Sequence, residues 1–154
     1  MRQPPIPSSG LSIRTVENEE LVSAALLGAA AGLRTFTPVA TLAARGRLSA
    51  DTNLRTATII AAAGELITDK LPWTPARTAP LPSVGRICSG AFCGWTVAGR
   101  RGALAGAAAA AASTQIGFRV RRAAAERTSK LRAALLEDAV AIGVANLAVV
   151  VTAA

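Results

Sequence analysis

Gly64-Glu65-Leu66-Ile67-Thr68-Asp69-Lys70 closes an apolar stretch that begins near Leu54, and Glu137-Asp138 opens a second one that runs to the C-terminus. If both stretches cross a bilayer, four carboxyl groups lie where an ionised group costs about 2.5–3.5 kcal/mol on insertion scales. Groups in such positions are paired, neutralised or used.

Composition favours that reading. The 154 residues suit one domain; 51% are apolar, yet aromatics make up 3% and Tyr and His are missing. The apolar content is mostly Ala and Gly. These bury little surface in a soluble core, but they suit the close helix–helix contacts of membrane bundles. An Ala-rich soluble bundle is the competing reading, since the mean hydropathy is only +0.40. Against it, the charges gather between the apolar stretches.

Five apolar helical segments follow: about Leu21–Ala44, Leu54–Leu71, Ser83–Ala98, Ala103–Val120 and Ala133–Thr152. Each is near the ~20 residues that span hydrocarbon. The expected fold is an all-α polytopic transmembrane bundle of four or five spans, because segments three and four are short and joined only by Gly99-Arg100-Arg101-Gly102. Residues 1–18, rich in Pro and Ser, read as a flexible N-terminal tail, and residues 19–154 as the membrane-embedded domain. Glu17, Glu19 and Glu20 argue against a cleavable signal, and Asn18 is placed to cap the first helix. Arg34-Thr35-Phe36-Thr37-Pro38 interrupts the first segment, as a proline kink or as a functional break whose freed backbone groups Thr35 and Thr37 satisfy. Pro72, Pro75, Pro80 and Pro82 make a stiff loop, with Trp73 as an interfacial anchor.

Net charge is +8. The basic residues gather at segment ends, above all Arg119, Arg121, Arg122, Arg127, Lys130 and Arg132, which points to anionic lipid headgroups. Nucleic acid is not expected, since no aromatics are interleaved to stack on bases. With five straight spans, eleven basic residues, including Arg2, Arg14 and this cluster, face five on the other side. That puts the N-terminus in the cytoplasm. Segments one–two and four–five, each a small-residue helix followed by an acid-bearing one, suggest a weak inverted repeat.

Gly28/Gly32, Gly90/Gly94 and Gly102/Gly106 are G-x-x-x-G pairs, which favour close packing within the bundle and in a homo-oligomer. Glu65 and Asp69 share a helix face. By helical rise, Glu65, Asp69, Glu137, Asp138 and Arg86 fall within about 9 Å of one membrane face. Arg34 lies about 20 Å along its helix, so it needs the break at Pro38, or another subunit, to find a partner. Two chemistries fit. Arg86 and Lys70 neutralise the acids in a structural network, or the acids line a cytoplasmic-side cavity for a cation or proton. No cofactor is expected, and any metal is undetermined. Cys88 and Cys93, about 500° of helix apart, should not bridge and read as buried packing residues. No nucleophile–base pair, P-loop or dinucleotide fingerprint is present, so an enzyme is not expected.

Ala25-Leu26-Leu27-Gly28-Ala29-Ala30-Ala31-Gly32-Leu33-Arg34-Thr35-Phe36-Thr37-Pro38, then Gly64-Glu65-Leu66-Ile67-Thr68-Asp69-Lys70-Leu71-Pro72, Ser89-Gly90-Ala91 and Leu136-Glu137-Asp138-Ala139 follow one another in the chain. Together they resemble the small bacterial membrane proteins grouped as domain of unknown function 4126, over about residues 21–150. The resemblance implies an integral protein of the bacterial plasma membrane. Gly32, Arg34, Pro38, Glu65, Asp69, Lys70, Pro72, Glu137 and Asp138 match the motif positions, and no activity comes with them. The E-x3-D-K element is also similar to the E-x-G-D-K signature of a divalent-cation transporter family, although its spacing differs by one and the Gly is missing. The leading expectation is a small cation or proton-coupled transporter or channel. Glu65, Asp69, Glu137, Asp138 and Arg34 would form its site, with Pro38, Lys70, Arg86 and Gly32 shaping it. The rival is a structural or accessory membrane protein whose acids are all salt-bridged.

Overall fold

A computed structural model describes residues 9–48, 52–68 and 80–151. Among them are five helices and no strand: α1 Ser9–Leu33, α2 Thr37–Ala44, α3 Thr52–Thr68, α4 Pro80–Arg127 and α5 Lys130–Val151. Asp69, Lys70, Pro72, Pro75 and Trp73 lie outside the described residues. Helix α1 begins at Ser9, so Asn18, Glu19 and Glu20 sit within it and not at its cap. Pro80 and Pro82 belong to the first turn of α4, where an amide has no intrahelical acceptor to lose.

Helix α4 is folded on itself. Ala98 (φ −132°, ψ 26°) and Gly99 (φ 56°, ψ −144°) leave helical geometry, and the positive φ is one that glycine adopts without a Cβ clash. The two halves run antiparallel with backbones touching: a Cβ on Gly94 would collide with the Gly102 carbonyl, and one on Gly90 would reach the Gly106 oxygen at 2.7 Å. Helix α1 lies on the second half in parallel, with Gly28 against Gly106, Gly32 against Ala110, and Leu33 against Gly117. All three G-x-x-x-G pairs are thus used inside one chain. They supply the close approach that such spacings allow, and they leave no glycine groove as an argument for association between copies.

Helix α5 is antiparallel to α1: Ser23 Oγ donates to the Ala148 carbonyl at 2.8 Å, and Arg34 meets Asp138. Helix α2 doubles back. It starts beside Arg34, and at its end Arg45 Nη2 donates to Asn146 Oδ1 at 3.2 Å, two residues from the level of Ser23. Arg47 lines a cavity of about 80 Å³ together with Glu19 and Glu20, and Leu42 packs in one cluster with Leu27. The stretch 21–44 is therefore a helical hairpin and not one kinked span. Pro38 is the second residue of α2, a position where proline starts a helix as readily as it kinks one elsewhere.

That reversal changes the parity of everything after it. Glu17 near the start of α1 meets Arg101 just past the α4 fold, at 4.0 Å. Gly117 is already level with Leu33, about 24 Å of helix away from Glu17. The Arg119–Arg132 cluster therefore lies at the opposite end of the bundle from the start of α1, where five straight spans would have put them together. An inverted repeat needs α1 and the second half of α4 to run in opposite directions; they run parallel.

The bundle is small inside and large outside. Ten of its fourteen buried hydrophobic residues are Ala, while Ile60, Ile67, Leu104 and Leu136 are each more than 60% exposed. Arg34, Arg86, Asp138, Ser23, Thr37 and Thr114 are buried. Among the described residues one helix, Leu131–Val151, is long and apolar enough to cross a bilayer, with a mean hydropathy of 1.9.

Candidate functional site

The site is the tip of the α1–α2 hairpin. Helix α1 ends at Leu33, and α2 begins after Phe36, whose own side chain makes no cap. The backbone amides left free by the break are met from α3: Thr35 N donates to Glu65 Oε1 at 2.7 Å and Phe36 N to Glu65 Oε2 at 2.8 Å. Glu65 thus does from another helix what an N-cap residue does locally, and its negative charge suits the positive end of the α2 dipole. The freed carbonyls are met from α4. Ser89 Oγ donates to Thr35 O at 2.5 Å, and Thr114 Oγ1 lies 3.1 Å from Gly32 O and 2.8 Å from Ala110 O. The hydroxyls come from neighbouring helices, not from Thr35 and Thr37. Unwound backbone at bundle depth requires such partners, because an unsatisfied group in an apolar surround costs several kcal/mol.

The charges close the arrangement. Arg34 is fully buried and its Nη2 pairs with Asp138 Oδ1 on α5. The next residue, Glu137, is rotated about 100° around the helix and faces α4, where Arg121 Nη1 lies 3.3 Å from its Oε2. Gly117 leaves room there, since a Cβ on it would sit 3.6 Å from Glu137 Oε1. Arg86 is buried on α4, three residues before Ser89. The sequence assigned Arg86 and Lys70 as the counter-ions. The structure instead pairs Asp138 with Arg34 and Glu137 with Arg121. Arg34 is indeed far along α1, but the reversal of α2 puts the acids at that same far end.

The structure therefore brings together Gly32, Arg34, Pro38, Glu65, Glu137 and Asp138, while Asp69 and Lys70 lie outside the described residues. Ser89, Thr114 and Arg121 complete the tip and were not assigned to it by sequence. Thr114 did carry a signal, as a hydroxyl next to an unbroken Ala run. Arg121 did not, standing in a basic cluster whose neighbours Arg119, Arg122, Arg127 and Arg132 are exposed. Cys93 is buried, but Cys88 is exposed, against the expectation for both; neither is bridged. Among the described residues no group of three or more His, Cys, Asp or Glu is arranged to hold a metal ion. Chemically, the tip is a set of satisfied donors and acceptors with two ion pairs. No family model, curated protein or solved structure matches the chain.

Proposed function

We propose that the chain is a small multi-pass protein of the bacterial plasma membrane that acts through helix packing, on itself or on a partner complex, with its acids as internal counter-ions. One observation carries this reading: Glu65, Glu137 and Asp138 are each engaged by positive partners of the same chain, namely two amides, Arg121 and Arg34. Membrane residence is supported by large apolar side chains turned outward around a polar, Ala-rich interior, the reverse of a soluble core. Six of the nine positions shared with domain of unknown function 4126 meet at one tip, which supports including the chain in that group. The exposed arginines among residues 119–132 mark the cytoplasmic face. The start of α1 and the end of α5 then face away from the cytoplasm, the reverse of the orientation expected from five straight spans.

The test is the melting temperature of the purified protein in detergent across monovalent and divalent cations, beside Glu65→Gln and Asp138→Asn. A flat ion profile, with both variants melting lower, is expected. Selective stabilisation by one cation, lost in both variants, would sink the packing reading. Cation or proton-coupled transport is the second reading. It is favoured by the unwound hairpin tip, since discontinuous helices of this kind form transporter sites. Flux in liposomes that Glu65→Gln abolishes without loss of fold is the result it needs.

A further inference from the structure

Beside the hairpin tip, between the end of α1, the second half of α4 and the start of α5, lies a cavity of about 330 Å³. That is within the roughly 300–1,000 Å³ of ligand pockets. Leu33, Ile116, Val120, Ala124, Leu136 and Val140 line it. Ile116, Val120, Leu136 and Val140 are each more than half exposed, so the cavity opens sideways through the outer surface of the bundle. Its two charged lining residues, Arg121 and Glu137, neutralise each other.

The rim is different. Residues 119–132 carry six basic side chains and one acid, Glu126. Arg119 and Arg122 flank the lining residues Val120 and Arg121, Arg132 precedes the lining residue Ala133, and all three flanking arginines are exposed. An apolar cavity open to the side, with a cationic rim at one end, matches an amphiphile with an anionic head. We propose that this cavity holds an acyl chain of an anionic phospholipid of the cytoplasmic leaflet, with its phosphate against Arg119 and Arg122. The assignment rests on the membrane reading above. Charge complementarity selects the occupant: a neutral lipid would leave the arginines without a headgroup partner, and a free anion would leave the cavity unfilled.

The test uses the full chain in detergent, with thermal stability followed on adding phosphatidylglycerol, phosphatidylcholine of the same chains, or glycerol phosphate. Phosphatidylglycerol should raise the melting temperature in a saturable way and the other two should not. Arg119→Gln with Arg122→Gln should weaken the apparent affinity about tenfold or more, the order expected when two basic contacts to an anionic head are removed. Ala124→Phe, which fills the cavity, should do the same with both arginines intact. If that variant fails to fold, Leu136→Trp at the exposed mouth takes its place. Equal stabilisation by both phospholipids, or an undiminished response in the cavity variant, would overturn the lipid site; stabilisation by glycerol phosphate alone would reassign it to a free anion. Alkaline carbonate washing of membranes separates the two failures. A chain that washes off refutes the membrane reading, and with it this one, whereas a chain that stays embedded but shows no lipid preference refutes only this one.

Discussion

The glycine seam and the hairpin tip are held by opposite means. In the seam, Gly28, Gly90 and Gly106 bring three backbones into contact with no side chain between them. Stability there comes from shape and dispersion, and every atom counts against added volume. At the tip, Arg34, Glu65, Asp138, Ser89 and Thr114 satisfy backbone groups that the broken helix leaves open. Stability there depends on each partner being present, because removing one strands a buried group. The seam tolerates changes of polarity poorly and has no chemistry. The tip tolerates changes of volume better, and it is where six of the family-like positions meet.

The comparison can be broken at the tip first. Arg34→Met leaves Asp138 buried without its counter-ion and should lower stability by about 3–5 kcal/mol in detergent unfolding. Adding Asp138→Leu should recover most of that loss, which a purely steric role for Arg34 would not permit. At the seam, Gly106→Ala should cost about 3 kcal/mol by pushing a Cβ into the Gly90 backbone. Gly143→Ala, where a Cβ meets nothing within 4 Å, should instead gain about 1 kcal/mol of helix propensity. Equal effects at the two glycines would remove the seam. Glu65→Gln keeps the shape but drops the charge that accepts from Thr35 and Phe36, and should cost about 1.5 kcal/mol, seen as faster amide exchange at residues 35–36. The smallest effect belongs to Glu17→Gln: its contact with Arg101 is long, and both side chains are more than half exposed. Unfolding should show less than about 1 kcal/mol.

Much of this was legible before any coordinates. The Ala and Gly content pointed to an all-helical bundle with close backbone contacts, Gly99-Arg100-Arg101-Gly102 to the hairpin within α4, and Arg34-Thr35-Phe36-Thr37-Pro38 to a break. The acids of Glu65, Glu137 and Asp138 stood out because ionised groups in apolar stretches need a reason. Helical periodicity and turn chemistry are local properties, and local properties can be read from neighbours in the chain.

What the sequence could not settle was direction and partnership. A proline four residues after Arg34 is compatible with a kinked span or with a new helix running back, and only packing of Leu42 with Leu27 and of Arg45 with Asn146 chooses the second. Once α2 returns, Arg34 meets an acid 104 residues away and Arg121 leaves its basic cluster for Glu137. Charge and small size were set residue by residue along the chain. Which charge neutralises which was decided by tertiary structure, because an ion pair in a low-dielectric interior forms with whatever partner the backbone brings within reach, regardless of separation in sequence.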